Sequence, residues 1–257
     1  MYDSCAKTLF CGKKVVYLPT CHSTNDIAAE LVRGGKAVEG TIIITDEQTA
    51  GRGQHGTRWL TNKGQNFTLS LVLKPTFLHL SEHFLLSQAI ALGIRNYLAE
   101  FTRNVWIKWP NDLYVNDLKI GGVLIENALQ GTRLAYSVVG IGLNINQSHF
   151  STAISDRVTS LRLETGQYLH LAEQLPRLVL AIEKTYLRLR AGQLESLRGE
   201  YLQYLLGFGQ TRQYIIGEQL VDGTIVGISP DGKLRLELHL GEIREFDIKE
   251  IKWQWVD

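Results

Sequence analysis

The sequence changes character near Gly207, and this change constrains the fold more than any other feature. Before it, β-branched apolar runs alternate with long segments of helical periodicity. After it, short alternating segments are separated by turn-forming strings such as Asp222-Gly223 and Pro230-Asp231-Gly232, which is typical of a small antiparallel barrel. The sequence therefore predicts a larger domain over residues 1–207 and a small barrel over residues 208–257.

Strands and helices alternate within the first of these domains. A short helix is expected after the first strand, with Ser23 or Thr24 able to cap it and Gly34-Gly35 able to close it. Asn116-Asp117 is a plausible tight turn between two later strands. The predicted strands lie at residues 14–18, 41–45, 67–74, 105–108, 113–115 and 119–126, with another starting at Leu134, and the predicted longer helices lie at residues 81–101, 169–190 and 193–206.

Charge and composition exclude several classes of protein. The formal net charge of the 257-residue chain is +1, and acidic and basic residues are interspersed, so nucleic acid is not expected as a main partner. The sequence shows neither a secretory leader nor an apolar run of membrane-spanning length, which predicts a cytoplasmic protein. The spacing of Cys5, Cys11 and Cys21 matches no zinc-ligand pattern.

The segment from Ala50 to Trp59 is rich in groups that suit an anion. It reads Ala-Gly-Arg-Gly-Gln-His-Gly-Thr-Arg-Trp, with three glycines, two arginines and one histidine. Glycine lets the backbone approach a ligand closely, and guanidinium groups bind phosphate or carboxylate with planar, charged donors. The segment fits neither the phosphate-loop nor the dinucleotide fingerprint, and taken alone it could equally be a solvated surface turn.

Three further strings accompany this loop at residues 108–113, 119–126 and 140–146. They read Lys-Trp-Pro-Asn-Asp-Leu, Lys-Ile-Gly-Gly-Val-Leu-Ile-Glu and Gly-Ile-Gly-Leu-Asn-Ile-Asn. Together with the loop, with Ser23-Thr24-Asn25 and with Glu47-Gln48, they resemble the signature of biotin protein ligases, in the same order and at fitting separations. The resemblance extends from about Val15 to the end of the sequence.

The resemblance implies an α+β fold. Biotin protein ligases contain a mixed β-sheet flanked by helices, similar to the catalytic fold of class II aminoacyl-tRNA synthetases, followed by a small SH3-like β-barrel. Many members begin with a DNA-binding helix-turn-helix domain. Only about fourteen residues precede the first predicted strand here, so the chain resembles the short form, for which no contact with DNA or membrane is expected.

The family's reaction has two steps, which the resemblance assigns to this chain. Biotin and ATP form biotinyl-5′-AMP, and biotin then passes to a lysine of a biotin carboxyl carrier protein. Lys119 matches the lysine placed between the biotin carboxylate and the α-phosphate, and Arg52 matches a second catalytic cation. Mg²⁺ is the implied cofactor, with Asp112 as a candidate ligand, and the protein is expected to be a monomer or a homodimer.

The remaining candidate residues also follow from matched motif positions. Those implied for biotin are Ser23, Thr24, Asn25, Gln48, Gly51, Arg52, Gly53, Gln54, Lys119, Gly121 and Gly122. Those implied for ATP are Arg52, His55, Arg58, Trp59, Asn111, Lys119 and Asn144. Structural interpretations compete with these roles: helix capping for Ser23 and Thr24, a strand bulge for the paired glycines, and a core position for Trp109.

The sequence departs from the family pattern at one position, and two alternative functions remain open. Gln54 stands where the family commonly has a second arginine, which in relatives helps to retain the reactive adenylate. A lipoate or octanoate ligase or transferase shares the fold and the two-step logic, but no Arg-Arg-x-x-Gly-Gly-Gly string is present. A non-catalytic biotin-binding regulator is the other alternative, and the presence of Lys119 counts against it.

Overall fold

The computed structural model describes residues 2–150 and 157–255, with only the backbone described at His55 and Leu240. The strands are β1 Val15–Cys21, β2 Ile42–Gln48, β3 Phe67–Leu73, β4 Val105–Lys108, β5 Asp112–Val115, β6 Leu118–Gln130, β7 Arg133–Leu143, β8 Thr211–Ile216, β9 Gln219–Ile228, β10 Leu234–Glu237, β11 Ile243–Phe246 and β12 Ile251–Trp253. The α-helices are α1 Thr24–Arg33, α2 His83–Leu98, α3 Leu161–Thr165, α4 Leu171–Arg190 and α5 Leu194–Gln203.

The first seven strands form one mixed sheet in the order β1-β2-β3-β7-β6-β5-β4. Strands β1 and β2 are parallel, and the other neighbours are antiparallel. Successive side chains of a strand point to opposite faces, so Leu69 and Leu71 of β3 join the main core with α2, α4 and α5. Val72 lies in a smaller cluster beneath α1 on the opposite face. Thr68 and Ser70, which share that face, lie beside α1 and leave room for a cavity there.

The remaining five strands form an antiparallel sheet in the order β11-β10-β9-β8-β12. This second sheet confirms the predicted α+β class with a C-terminal SH3-like element. Its apolar side chains, including Ile225 and Leu234, belong to the same contiguous core as the first sheet. A turn at its edge docks directly onto that sheet, because Trp109 Nε1 donates a 2.8 Å hydrogen bond to the Gly232 carbonyl. The exact boundary between residues 207 and 208 stays a prediction.

Two local features differ from the sequence-based expectation. Ser23 occupies the N-cap of α1, but its side chain makes no capping hydrogen bond. The backbone N–H of Thr24 instead donates to Gln48 Oε1 of β2 at 2.8 Å, so a residue distant in sequence satisfies the free helix terminus. Helix α3 was not predicted, and Ser160 caps it by accepting a hydrogen bond from the Leu163 N–H.

Two other expectations, the Asn116-Asp117 turn and the core position of Trp109, are confirmed. Asn116 adopts a positive φ of 53° in the predicted tight turn between β5 and β6, and Trp109 is buried in the core. Among the described residues, no helix is both long and apolar enough to cross a bilayer.

Candidate functional site

A cavity of about 870 Å³ lies on the α1 face of the first sheet and reaches the second sheet. Helix α1, the segment after β2 and strands β3, β5, β6 and β7 form most of its wall, and the end of the second sheet forms the rest. The sequence-predicted residues that line it are Ser23, Thr24, Asn25, Gln48, Arg52, Gly53, Gln54, Arg58, Trp59, Asn111, Asp112, Lys119, Gly122 and Asn144. The four sequence motifs therefore converge on one space.

Neutral polar groups occupy one end of the cavity. Gln48 Oε1 accepts hydrogen bonds from the Thr24 N–H at 2.8 Å and from Thr24 Oγ1 at 3.1 Å. Ser70 Oγ lies 2.7 Å from Thr24 Oγ1 and 2.6 Å from Asn25 Oδ1. These contacts fix the Gln48 amide, while the Ser23 hydroxyl lines the cavity without a side-chain hydrogen bond to any described residue. This end can present both donors and acceptors to a neutral polar ligand.

Glycines of β7 let the cavity wall close tightly. A Cβ atom on Gly140 would collide with the Asn25 side chain, and one on Gly142 would collide with the Trp59 indole. Absence of side chains at these positions lets α1 and the indole lie directly on the sheet. The Gly-Ile-Gly string at residues 140–142 is thus explained by packing around the cavity.

The glycine-arginine segment forms a narrow loop at the rim. The backbone N–H of Trp59 donates a hydrogen bond to the Gly51 carbonyl at 3.0 Å. An isolated antiparallel β-bridge pairs the backbones of Arg52 and Arg58. The Arg52 guanidinium contacts both carboxylate oxygens of Asp26 at 2.7 and 2.8 Å, and it lies 3.2 Å from Glu126. The hydrogen bond to Asp26 raises the pKa of Arg52. Arg52 therefore ties the loop to α1 and β6, whereas Arg58 lines the rim without an ion pair to any described residue.

A lysine and an aspartate pair in the middle of the cavity. Lys119 Nζ lies 2.7 Å from Asp112 Oδ1, and the two side chains are 31% and 23% exposed. Asp112 is the register partner of Gly122, and a Cβ added at Gly122 would lie 3.0 Å from Asp112 Oδ1 and 3.7 Å from Lys119 Nζ. Lys119 Nζ is also 6.0 Å from the centre of the Trp59 ring. An ammonium group is thus held in the cavity, half-shielded from solvent, next to bare backbone.

Two predicted asparagines hold backbone as well as lining the cavity. The Asn111 amide donates to the Val123 carbonyl, and the Asn144 amide donates to the Thr159 carbonyl at 3.0 Å. Both side chains therefore fix the loops that carry them, and their proposed contacts with ATP stay predictions.

Gly51 and Gly121 were predicted as site residues but do not line the cavity. A Cβ on Gly121 would meet Leu143, so Gly121 faces the other side of the sheet from Gly122. Gly51 packs against the Trp59 carbonyl. The predicted role of the His55 side chain lies outside the described part of the chain. Within that part, no group of three or more His, Cys, Asp or Glu residues could hold a metal ion.

Sequence reasoning missed several residues that line the same cavity. Thr68 lines the cavity and could have been found, because it and Ser70 are two alternating hydroxyl residues within an otherwise apolar strand. Lys108 also lines the cavity. It begins the string at residues 108–113, from which only Asn111 and Asp112 were predicted as site residues. Trp253 and Trp255 reach the cavity from the second sheet. No local sequence pattern predicts a contact between residues so far apart in the chain. Their two rings stack with centres 5.9 Å apart.

Comparisons with known proteins place this geometry in a family. The model of the biotin/lipoate A/B protein ligase family matches residues 17–144. The chain is 31% identical over 240 residues to the bifunctional ligase/repressor BirA of Bacillus subtilis, which covers 91% of this chain and 73% of that protein. It is 29% identical over 222 residues to the biotin–[acetyl-CoA-carboxylase] ligase of Paracoccus denitrificans, which covers 83% of this chain and 91% of that protein.

A solved structure agrees with these matches. The biotin protein ligase from Aquifex aeolicus in complex with biotin and ATP superimposes with a TM-score of 0.78 at 28% identity, covering 94% of this chain and 99% of that one. Sequence, fold and the convergence of the four motifs on one cavity lead to the same conclusion. The chain belongs to the biotin protein ligase family.

Proposed function

We propose that this protein activates biotin with ATP to biotinyl-5′-AMP and transfers biotin to a lysine of a biotin carboxyl carrier domain. The observation that carries the proposal is the position of the Lys119–Asp112 pair. The pair shares the cavity with a neutral polar end, formed by Ser23, Thr24 and Gln48, and with Lys108 and Lys252, which line it where it reaches the second sheet. A ligand with a neutral ring at one end and an anionic group at the other suits this order of groups.

In the first proposed step, a biotin carboxylate oxygen bonds to the α-phosphorus of ATP. The bond from that phosphorus to the bridging oxygen breaks, and pyrophosphate leaves. Two anions must meet in a partly desolvated space, where their repulsion is larger than in water. The Lys119 ammonium opposes that repulsion by contacting both groups, and it exchanges part of its contact with Asp112 for the substrates.

In the second step, the amine of the carrier lysine attacks the acyl carbon of biotinyl-5′-AMP. The acyl–phosphate bond breaks, AMP leaves, and the amine loses a proton as the amide forms. The Gln48 amide and the Ser23 hydroxyl hold the ureido ring in our proposal, because biotin offers both donors and an acceptor there. The Trp59 indole, which lies over Gly142, supplies an apolar wall for the rest of the ligand.

Mg²⁺ is proposed to arrive with ATP. The described residues offer a single carboxylate at the right place, Asp112, and one of its oxygens is paired with Lys119. Mg²⁺ commonly binds through one or two carboxylates together with substrate phosphates and water. Asp112 would therefore hold the ion in part, and the triphosphate would supply most of its ligands.

The test is mass spectrometry of a biotin carboxyl carrier domain incubated with the protein, biotin and Mg-ATP. We expect a biotin-sized mass gain on one lysine that disappears without ATP. Lipoate and octanoate, offered in separate reactions, test the related acyl ligases of the same fold. Modification by either of these acids in place of biotin would contradict the proposal, and so would the absence of any mass gain.

The finer expectations about partners and place also stay predictions. Size-exclusion chromatography with light scattering distinguishes monomer from homodimer. An electrophoretic mobility assay tests the expected lack of DNA binding. Fractionation of the source cells tests the cytoplasmic location.

A further inference from the structure

Two carboxylates outside the cavity hold the cation of the rim loop. Asp26 of α1 contacts the Arg52 guanidinium with both oxygens at 2.7 and 2.8 Å, and Glu126 of β6 contacts it at 3.2 and 3.4 Å. Neither carboxylate lines the cavity, whereas Arg52 does. Among the described residues, the buried Asn25 amide nitrogen donates to Glu126 Oε2 at 2.6 Å and to the Leu124 carbonyl at 3.4 Å, and not to Asp26. Glu126 therefore contacts both the loop and the interior of the cavity wall.

The contact with Asn25 continues as a chain of hydrogen bonds to the neutral polar end of the cavity. Asn25 Oδ1 lies 2.6 Å from Ser70 Oγ, which lies 2.7 Å from Thr24 Oγ1. Thr24 Oγ1 lies 3.1 Å from Gln48 Oε1. A Cβ atom on Gly140 would lie 2.5 Å from Asn25 Oδ1, so the amide has no room to shift toward β7. Because Asn25, Ser70 and Thr24 are buried, water cannot easily replace a partner that this chain loses.

The charge of Glu126 fixes the direction of these hydrogen bonds. An ionised carboxylate only accepts, so Asn25 turns its NH₂ group toward Glu126 and its carbonyl oxygen toward Ser70. The single Ser70 hydroxyl proton then points to Asn25, which leaves Ser70 Oγ as an acceptor. The Thr24 hydroxyl proton is thereby directed into the wall, toward Ser70 or Gln48. Thr24 lines the cavity, and its oxygen keeps a lone pair for a ligand that donates a hydrogen bond.

We propose that Glu126 is a positioning residue with two effects. It holds the Arg52 loop at the rim, and through Asn25 it sets the hydrogen-bonding polarity of the cavity end that takes the ureido ring of biotin. This inference rests on the function proposed above. Asp26 distinguishes the two effects, because it shares the contact with Arg52 but not the contact with Asn25. One carboxylate thus serves two separate parts of the ligand site, and a buried amide links them.

The test uses two ligands that differ in charge. Biotin reaches both ends of the proposed site, whereas biotin methyl ester keeps the ureido ring and lacks the anionic carboxylate. Titration calorimetry without ATP gives both dissociation constants for Glu126→Ala, Glu126→Gln and Asp26→Asn. Glu30→Ala is the control, because it removes an exposed carboxylate of α1 that does not line the cavity. Trypsin cleavage after Arg58, relative to cleavage after exposed Arg103, reports how firmly the loop is held.

We expect Glu126→Ala to weaken binding of the methyl ester about 5- to 50-fold, as for a buried donor left without its acceptor, and to increase loop cleavage. Glu126→Gln should bind the ester within about threefold of wild type, because its carbonyl oxygen still accepts from Asn25. Loop cleavage should stay increased in that variant, because the charge is lost. Asp26→Asn should increase loop cleavage and bind the ester within about twofold of wild type. Glu30→Ala should match the wild type in every assay.

Two outcomes overturn the inference. Unchanged ester binding in Glu126→Ala would mean that the polarity of the ureido end does not depend on Glu126. An equal loss of ester binding in Asp26→Asn and Glu126→Ala would trace the effect to the loop alone. Failure of the wild-type protein to bind biotin would instead overturn the proposed function.

If Glu126→Ala fails to fold, exchange of the two groups carries the test. Asn25→Asp alone sets two carboxylates against each other, and it should weaken ester binding by about tenfold or more. Adding Glu126→Gln restores one amide and one carboxylate in reversed positions, so most of the lost affinity should return. Ester binding that stays weak in the double variant would contradict the assigned contact.

Discussion

At the scale of single residues, the two cations proposed to be catalytic are each held by carboxylates of the protein. Arg52 is paired with Asp26 and Glu126, and Lys119 is paired with Asp112. If substrate anions bind these cations as proposed, they must compete with the protein's own carboxylates. That competition costs part of the binding energy, but it keeps each cation in place before the ligand arrives.

Lys119→Ala is expected to abolish or greatly slow adenylate formation while leaving the fold intact. The side chain is partly exposed and touches one carboxylate, whereas the Lys119 backbone keeps its hydrogen bonds to residues 157 and 159. Losing a charge that stabilises the transition state should raise the barrier by about 2–4 kcal/mol. Pyrophosphate release measures the rate, and thermal unfolding checks the fold. Release near the wild-type rate from a folded variant would refute the assigned role.

Gln54→Arg is expected to slow the dissociation of biotinyl-5′-AMP. Gln54 lines the cavity as a neutral amide, so the adenylate phosphate lacks one charged, bidentate contact. An arginine there should strengthen retention by about 1–2 kcal/mol, the usual advantage of a charged donor. The off-rate of preformed adenylate is compared between the wild type and the variant. Indistinguishable rates would mean that residue 54 does not control retention and that Arg58 already serves this purpose.

At the scale of elements, the loop of residues 51–58 combines Arg52, which is ion-paired, with Arg58, which has no ion pair to any described residue. Arg52 is bound to α1 and β6, while Arg58 is exposed at the rim. We expect the loop to open and close without ligand and to become protected when biotin and ATP bind, as active-site lids do. Trypsin cleavage after Arg58 should then fall sharply, with cleavage after exposed Arg103 as the internal reference. Equal cleavage with and without ligands would argue against a lid.

Elements were predicted well where local pattern decides them. Strand β3, the Asn116-Asp117 turn and the long helices follow from alternation, turn chemistry and helical periodicity. The predicted side-chain cap of α1 was wrong: the Ser23 side chain makes no capping hydrogen bond, and Gln48 of a different strand accepts from the Thr24 N–H. The contribution of Trp253 to the cavity could not be predicted either, since docking of the second sheet depends on the Trp109–Gly232 contact.

The candidate site was also predicted where local motifs decide it and missed where contacts between distant residues decide it. The structure brings Lys119, Asp112, Ser23 and Gln48, which the motif positions singled out, together in one cavity, and their roles stay predictions. The motif positions could not distinguish Gly121 from Gly122, because one strand position faces the cavity and the next faces the other side of the sheet. The motif positions also do not show which charged side chains lie opposite each other on neighbouring strands. Lys108, which is opposite Asp112, was therefore not predicted to line the cavity.

At the scale of the whole molecule, a buried carboxylate anchors the N-terminal segment. Glu183 of α4 accepts hydrogen bonds from the N–H groups of Leu9, Phe10 and Cys11 at 2.7, 2.9 and 2.8 Å. It is 2% exposed and does not line the cavity. Stability and catalysis should therefore be separable at this position.

Glu183→Ala is expected to lower the free energy of unfolding by about 3 kcal/mol, because three backbone donors lose their acceptor. Glu183→Gln should lose less, since its carbonyl oxygen still accepts. Denaturant unfolding measures both, with Glu195→Ala on the exposed side of α5 as the control. Activity per folded molecule should be unchanged below the midpoint. A selective loss of activity without loss of stability would contradict this structural role.

The distribution of tryptophan gives the molecule an optical property. Of the five tryptophans in the sequence, Trp59, Trp109, Trp253 and Trp255 line the cavity. Near-ultraviolet emission should therefore originate mainly from the walls of the cavity, and the stacking of the Trp253 and Trp255 rings favours transfer of excitation between them. Displacement of water, or the arrival of a purine beside these rings, changes that emission. Intrinsic tryptophan fluorescence should therefore report whether the cavity is occupied, without an added label.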